Sequence, residues 1–149
     1  MQTYFKQVDL PYSAQQVFDL VADIESYPRF LPHVASARIR QRSGNNLWVE
    51  QLVRVRVLRL RFSTKAVLEP WSQIRVVCSD SPFGTFSERW SFTASPRGGT
   101  RLLCHAEFEL GPAFLSRMLL GVMSEALNAT VKAFEVRATQ LYGHAAAAL

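Results

Sequence analysis

The sequence predicts an α+β fold in which a curved antiparallel sheet of six to seven strands is wrapped around one long C-terminal helix. Apolar residues alternate with polar ones from Val34 to Leu110, the period of strands that bury one face. From Leu115 to Leu141 they recur every three or four residues, as in an amphipathic helix. A length of 149 residues favours one domain. We expect a single domain over residues 1–143 and a flexible tail over residues 144–149.

The first part of the chain predicts a strand, a short helix and an unusual turn. Thr3–Asp9 alternates, and Ser13 has the chemistry of an N-cap before the apolar run Val17–Ile24. The Tyr27–Pro32 turn (Tyr-Pro-Arg-Phe-Leu-Pro) then ends the helix, because each proline lacks an N–H and restricts the residue before it. Large apolar side chains are seldom spent on an exposed turn. We therefore expect this turn to fold over the mouth of a cavity.

Six further strands and the long helix follow. The predicted strands are Val34–Arg42, Trp48–Val57, Leu60–Leu68, Ile74–Cys78, Phe86–Phe92 and Leu102–Leu110. Val57 falls on the inward face of its strand, and the adjacent Val57-Leu58 pair predicts a tight turn or bulge there. Residues 81–84 (Ser-Pro-Phe-Gly) predict another turn. Pro112 suits a first helical turn and Gly143 suits a C-cap, so the long helix should lie between them.

Positive charge is concentrated in the middle of the chain. The net charge is +5, but residues 38–75 hold nine basic residues against two acidic ones. The predicted basic surface consists of Arg38, Arg40, Arg42, Arg54, Arg56, Arg59 and Arg61. Such asymmetry suggests a polyanionic partner, either an anionic membrane surface or RNA, although a merely solvated sheet face has the same pattern.

Localisation is predicted from what the sequence lacks. No apolar run approaches the ~20 residues of a membrane span, and the N-terminus has no apolar block typical of a signal peptide. Cys78 and Cys104 have no metal-binding or redox spacing, so we interpret them as reduced core residues. We therefore expect a cytoplasmic protein, free or peripheral at the inner face of the plasma membrane.

Several short motifs resemble those of the START-like family branch that contains the coenzyme Q-binding proteins and the ribosome-association toxin RatA. The matching segments are residues 12–13 (Tyr-Ser), 17–23 (Val-Phe-Asp-Leu-Val-Ala-Asp), 27–32, 83–86 (Phe-Gly-Thr-Phe), 90–92 (Trp-Ser-Phe), 134–138 (Phe-Glu-Val-Arg-Ala) and 142–143 (Tyr-Gly). They extend over nearly the whole chain. One departure is His33-Val34, where the family pattern has an aromatic residue followed by Cys.

This resemblance implies a START-like helix-grip fold, within the superfamily of polyketide cyclases, dehydrases and lipid-transport proteins. It implies binding and delivery of a lipid or polyprenyl quinone such as ubiquinone, in support of respiration. It also implies an alternative, second to quinone binding: a RatA-like toxin that binds the ribosomal large subunit and blocks subunit association. A third alternative is a polyketide cyclase. One fold hosts all three, so the fold does not choose between them.

The candidate ligand-binding residues lie on the turn, on the inward faces of the strands and on the long helix. They are Tyr27, Phe30, Leu31, Pro32, Phe62, Phe86, Glu88, Trp90, Phe92, Phe108, Met118, Val122, Met123 and Leu127. Inward aromatics on a sheet and an apolar stripe on a helix are also typical of an ordinary core. The lining role therefore rests on the resemblance.

Glu88 is the sharpest polar anomaly, since alternation places it inward between two aromatic residues. A buried carboxylate needs a partner or a raised pKa. Glu88 would then hydrogen-bond a quinone head group, act as an acid or base or, as we favour from the sequence, pair with an arginine near the sheet edge. His33 is expected to be a surface residue. No catalytic triad, nucleotide-binding loop or metal-ligand spacing is present, so the sequence predicts no metal, no cofactor and no enzyme activity.

Overall fold

A computed structural model describes residues 2–81, 84–111 and 113–143, and it has the α+β architecture that the sequence predicts. The elements are β1 (Gln2–Leu10), α1 (Ala14–Ala22), a 3-10 helix (Ile24–Arg29), β2 (Val34–Ser43), β3 (Asn46–Val55), β4 (Leu58–Glu69), β5 (Gln73–Ser81), β6 (Gly84–Ala94), β7 (Thr100–Leu110) and α2 (Ala113–Tyr142). The predictions for residues 82 and 83, for Pro112 and for the tail over 144–149 lie outside the described residues.

All seven strands form one antiparallel sheet in the order β1-β7-β6-β5-β4-β3-β2. Strands β2 to β7 follow one another as neighbours, and β1 joins the far edge beside β7. We call the sheet face turned toward α2 the concave face and the opposite face the convex face. Helix α2 packs most closely against β1 and β7. This placement leaves room between the helix and strands β3 to β6.

Local chemistry fixes both ends of the helical layer. Ser13 and Gln16 form a capping box that starts α1: the Gln16 N–H donates to Ser13 Oγ at 3.1 Å, and the Ser13 N–H donates to Gln16 Oε1 at 3.0 Å. Gly143 ends α2 with φ 77°, a conformation that favours glycine. The Tyr142 hydroxyl donates to the Gln16 carbonyl at 3.0 Å, which ties the end of α2 to the start of α1.

The predicted turn near Val57 exists, but Val57 itself is misplaced by the sequence prediction. Strand β3 ends at Val55, and Arg56 and Val57 form a two-residue loop that leads directly into β4. Arg56 has φ 57°, and the Val57 side chain is 93% exposed rather than inward. The apolar pattern runs two residues past the end of β3 because Val57 continues the alternation although its side chain is exposed.

Candidate ligand-binding site

A cavity of about 110 Å³ lies between the concave face and α2. Its walls come from the inward residues of β3 to β6, from one stripe of α2, and from the Tyr27–Pro32 turn. The lining residues are Val21, Ile24, Tyr27, Leu31, His33, Val34, Gln51, Val53, Leu60, Phe62, Thr64, Ala66, Ile74, Val76, Phe86, Glu88, Trp90, Met123, Leu127, Thr130 and Phe134. The lining is mostly apolar, as ligand cavities usually are.

The Tyr27–Pro32 turn closes one side of this cavity through ring packing. The Tyr27 ring meets Phe30 at 6.1 Å and Phe134 of α2 at 5.7 Å between centroids. The Tyr27 hydroxyl donates to the Val21 carbonyl, and the buried Leu31 donates its N–H to the Tyr27 carbonyl at 2.8 Å. The turn is therefore packed onto the long helix, as its apolar composition predicted.

Glu88 lines the cavity and has no ion pair within the described parts of the chain. Its Oε1 accepts a hydrogen bond from Trp90 Nε1 at 3.0 Å. Burial raises the pKa of Glu88, and the Trp90 hydrogen bond only partly offsets this. The favoured sequence interpretation, an arginine partner at the sheet edge, is wrong. Glu88 instead presents a carboxyl that retains its proton to higher pH and can then donate a hydrogen bond.

Thr64 is the second polar group of the cavity. Its Oγ1 is buried and has no hydrogen-bond partner among the residues that the structure describes. The Thr130 hydroxyl, by contrast, donates a hydrogen bond to the Ala126 carbonyl at 2.8 Å. An unpaired buried hydroxyl costs free energy unless something occupies the space in front of it. Thr64 and Glu88 therefore mark the cavity as a site for a ligand with polar atoms on an apolar body.

Eight predicted ligand-binding residues line the cavity: Tyr27, Leu31, Phe62, Phe86, Glu88, Trp90, Met123 and Leu127. Six others do not: Phe30, Pro32, Phe92, Phe108, Met118 and Val122. Whether any of the eight contacts a ligand stays a prediction. The placement of the six is a correction to the predicted lining.

Phe92 and Phe108 are on the predicted concave face of the sheet, but other parts of the protein cover them and they do not reach the cavity. Phe92 packs on Phe18 of α1, with ring centroids 5.2 Å apart. Phe108 is fully buried on β7, the strand against which α2 packs closely. Alternation along a strand gives the face of a side chain, whereas the gap under the helix depends on how the helix is laid across the sheet.

The remaining four lie outside the cavity for two reasons. Phe30 and Pro32 are on the outer side of the turn, where Phe30 packs on Phe134. The Arg137 guanidinium carbon lies over the Phe30 ring, 5.3 Å from its centroid. Met118 is 53% exposed, and Val122 lines a separate surface groove beside the Arg56-Val57 loop. The apolar stripe of α2 thus lines the cavity along one part of its length and the surface groove along another.

Some lining residues were missed from the sequence. Phe134 is part of the predicted helical stripe and contacts Tyr27, Phe30 and Trp90, so its position seven residues after Leu127 was the available signal. Thr64 lies in the inward row of β4. His33 was expected on the surface, but it is half-buried in the lining and its Nδ1 lies 3.0 Å from the Arg54 carbonyl oxygen.

The predicted basic surface occupies most of the convex face, with two exceptions. A β-bulge between Ile39 and Gln41 places Arg42 opposite Leu47, a residue of the concave side. Arg56 turns to α2, where its Nη2 lies 2.7 Å from Glu125 Oε1. These two residues are corrections to the predicted surface. Arg38, Arg40, Arg54, Arg59 and Arg61 remain exposed on the convex face.

Charges on the convex face are unevenly compensated. Glu50 accepts from Arg40 at 2.8 Å and from Arg61 at 3.5 Å. Two pairs of arginines, in contrast, lie directly opposite each other on neighbouring strands: Arg54 with Arg59, and Arg75 with Arg89. Like charges placed opposite each other destabilise a sheet. Their presence favours an interpretation in which an anionic partner offsets the repulsion.

The sheet, the helix across it and the apolar cavity between them define a START-like helix-grip protein with a site for a hydrophobic ligand. Residues 10–135 match the family described as polyketide cyclase / dehydrase and lipid transport. The chain belongs to this family, and the resemblance predicted from its motifs is confirmed. Among the described residues, no helix is long and apolar enough to cross a membrane.

Three similar proteins represent the range of the family. The chain is 32% identical to the ribosome association toxin RatA of Pseudomonas aeruginosa, over 90% of this chain and 93% of that protein. It is 23% identical to the mitochondrial coenzyme Q-binding protein COQ10 of Dictyostelium discoideum, over 91% of this chain and 68% of that protein. The crystal structure of the Zhui aromatase/cyclase from Streptomyces sp. R1128 superposes with a TM-score of 0.85 at 19% identity, over 93% and 94% of the two chains.

The prediction that the protein is not an enzyme is wrong. It depended on the lack of a recognisable catalytic constellation in the sequence. The family that matches residues 10–135 is described by cyclases and dehydrases as well as by lipid transport, and an aromatase/cyclase has the same fold.

Proposed function

We propose that the cavity binds a polyprenyl quinone, such as ubiquinone, and that the protein delivers it for respiration. The observation that carries this proposal is an apolar cavity with one half-buried carboxyl, Glu88, that has no cation beside it within the described chain. Quinone carbonyl oxygens accept hydrogen bonds and carry no charge. The raised pKa of Glu88 favours its protonated form, which would supply one donor for them, the Thr64 hydroxyl would supply another, and the similarity to a coenzyme Q-binding protein supports the ligand class.

The size of the cavity limits how much of such a ligand is enclosed. A volume of about 110 Å³ is below the ~300–1,000 Å³ of pockets that enclose drug-sized ligands. A quinone ring is therefore the part that enters, and the isoprenoid tail must extend through an opening. Two lining elements can widen the space: the Tyr27–Pro32 turn, which is held by ring packing, and Met123, whose flexible side chain adapts its shape.

Organic extraction of the purified protein, followed by mass spectrometry of the extract, is the first test. The protein must come from a quinone-producing host. We expect a polyprenyl quinone in near-stoichiometric amount. Met123→Trp fills the cavity and should reduce the bound quinone by roughly a hundredfold, since an overfilled site has no room for the ring. Val136→Trp, on an exposed part of α2, is the matched control. An extract empty of quinone, together with no uptake of added quinone, would reject the proposal.

A second candidate function is association with the ribosomal large subunit. Two observations favour it: 32% identity to a ribosome association toxin, and the opposed arginine pairs on the convex face. Phosphate contacts by arginine give binding that weakens steeply with salt. Co-sedimentation with large subunits over a salt series tests this function. Arg54→Glu with Arg59→Glu should abolish co-sedimentation and leave quinone binding intact, whereas Met123→Trp should do the reverse.

A further inference from the structure

The end of the molecule at the Arg56-Val57 loop has a composition that folding does not explain. Arg56 adopts φ 57° at the first position of a two-residue hairpin loop, where glycine is favoured, and Val57 is 93% exposed beside it. A β-branched residue at an exposed loop tip gains nothing from burial. Polar turn residues such as Asn-Gly would fold more readily there. Arg56 has a partner within the chain, Glu125, so it is the exposed Val57 that points to a contact outside the chain.

Helix α2 adds apolar surface at the same place. Met118 is 53% exposed, and together with Gly121 and Val122 it borders a surface groove of about 440 Å³ that also includes Val57 and Leu58. The Arg56–Glu125 ion pair at 2.7 Å fastens the loop to the helix and holds these side chains together. We call Val57, Leu58, Met118 and Val122 the apolar tip, in which Val57 and Met118 are exposed, Leu58 is partly exposed and Val122 is buried.

Positive charge surrounds the apolar tip. Arg54 and Arg59 are the second cross-strand pair from the loop, behind Val55 and Leu58, and Arg117 lies on the groove wall. All three are exposed and make no ion pair in the part of the chain that the structure describes. Farther along the convex face Glu50 compensates Arg40 and Arg61. Three arginines that make no ion pair thus surround the apolar tip, and Arg75 and Arg89 form a second uncompensated pair farther along the convex face of the described sheet.

From this arrangement we infer that the apolar tip inserts into the interface of an anionic lipid bilayer. The apolar side chains match the acyl chains of such a bilayer, and the arginines around them match its anionic head groups. Four apolar side chains are too few for a standard protein interface, which takes ~20–30 residues a side. An RNA surface would use the arginines but would gain nothing from Val57 and Met118.

The location of the tip connects it to the cavity. Val53 and Leu60, which line the cavity, are cross-strand partners only two residue pairs from the loop, and Met123 adjoins Val122. At ~3.3 Å per residue, the loop is about 10 Å from the cavity wall. This inference rests on the proposed function only for its purpose, passage of a hydrophobic ligand between bilayer and cavity. Bilayer binding itself needs no ligand.

Co-sedimentation of the ligand-free protein with vesicles tests the inference. Vesicles of phosphatidylcholine with phosphatidylglycerol should bind the protein, and vesicles of phosphatidylcholine alone should not. Val57→Ser with Met118→Ser should weaken binding about tenfold, since two apolar side chains no longer enter the interface. Val136→Ser changes an exposed valine at the other end of α2 and should leave binding unchanged. Arg54→Gln with Arg59→Gln should weaken binding and reduce its dependence on salt.

Insertion also has a direct optical readout. A fluorophore sensitive to polarity, attached at Val57→Cys, should shift to the blue with anionic vesicles, whereas the same label at Val77→Cys on the convex face should not. Cys78 and Cys104 are buried, which favours selective labelling at the new site. No shift at Val57→Cys, or wild-type vesicle binding by the double serine variant, would overturn the inference. Binding lost only with the arginines would mark a general polyanion surface and would also overturn it.

The outcomes separate this inference from the proposed function. Quinone uptake is measured by equilibrium dialysis of a short-tailed quinone without vesicles. We expect the double serine variant to bind that quinone like the wild-type protein, because Val57 and Met118 do not line the cavity. Vesicle binding without quinone uptake would reject the proposed function alone, and quinone uptake without vesicle binding would reject the bilayer inference alone.

Discussion

Two glutamates on opposite faces of the same sheet have opposite surroundings. Glu88 points into the cavity on the concave face, where burial raises its pKa. Glu50 is on the convex face, where the hydrogen bond and charge of Arg40 lower its pKa. The side-chain chemistry is identical, and only the parity of the strand position differs. The sheet thus keeps cations away from its cavity and gathers them on its outer surface.

This division of charge separates two kinds of binding. An uncharged ligand with hydrogen-bond acceptors suits a cavity whose carboxyl can hold its proton. A polyanionic surface suits a face on which arginines face arginines, as Arg54 faces Arg59. Under the two proposals, the ligand lies on one side of the sheet and the docking surface on the other, so we expect variants that remove either function alone.

The largest contrast between the two faces should appear in stability. Phe134 is almost fully buried between the Tyr27, Phe30 and Trp90 rings, so Phe134→Ala should lower the free energy of unfolding by about 3–5 kcal/mol. Val77 is half-exposed on the convex face, and Val77→Ala should cost less than ~0.5 kcal/mol. Urea denaturation measures both. Equal losses would mean that the cavity side is not the structural core.

Titration should separate Glu88 from Glu50. The pKa of Glu88 is higher in the folded than in the unfolded chain, so stability falls as pH rises from the unfolded pKa through the folded one. The pKa of Glu50 is lower in the folded chain, so its contribution is present above the unfolded pKa and is lost as pH falls through the folded one. Glu88→Gln should remove the loss at higher pH and Glu50→Gln the loss in acid. Urea titrations over a pH series measure the two slopes, and an unchanged high-pH slope in Glu88→Gln would contradict the assignment.

Thr64 offers a smaller effect in which stability and binding oppose each other. Its buried hydroxyl has no partner in the described structure, so Thr64→Val should raise the free energy of unfolding by about 1 kcal/mol. The same change removes a donor from the cavity and should weaken quinone binding several-fold. Thermal denaturation and equilibrium dialysis measure the two effects. Thr130→Val serves as the control, because that hydroxyl is already satisfied by the Ala126 carbonyl. A loss of stability in Thr64→Val would show that the hydroxyl has a partner after all.

The fold was predictable because the two-residue alternation of the strands and the three-to-four-residue spacing of the helix each persist over long segments. Strands β2 to β7 alternate nearly without interruption, and α2 keeps its stripe over 30 residues. The bulge at Arg40 was not predictable, since one inserted residue leaves the polar pattern of Arg38, Arg40 and Arg42 intact while it moves Arg42 to the other face. Val57 shows the converse error, an apolar residue that continues the alternation but is exposed.

The site was predictable in kind but not in extent. Parity and helical spacing placed Phe86, Trp90 and Met123 correctly toward the gap. The same rules admitted Phe108, because they say nothing of where α2 touches the sheet and where it stands off. The position of the gap depends on how α2 packs against β1 and β7. Residues far apart in the sequence contribute to this packing, for example Tyr4, whose hydroxyl donates to Asn128 Oδ1 at 2.7 Å.

The smallest expected effect compares the two opposed arginine pairs. Arg59→Glu turns the repulsion with Arg54 into attraction and should stabilise the sheet by a few tenths of a kcal/mol. Arg75→Glu does the same opposite Arg89, on the same face but away from the apolar tip. Urea denaturation should show equal small gains. Anionic vesicle binding should fall with Arg59→Glu and hold with Arg75→Glu, because only the first pair lies beside the surface that enters the bilayer. Equal losses of vesicle binding would extend the docking surface over the whole convex face, and equal losses of ribosome binding would support the RNA contact instead.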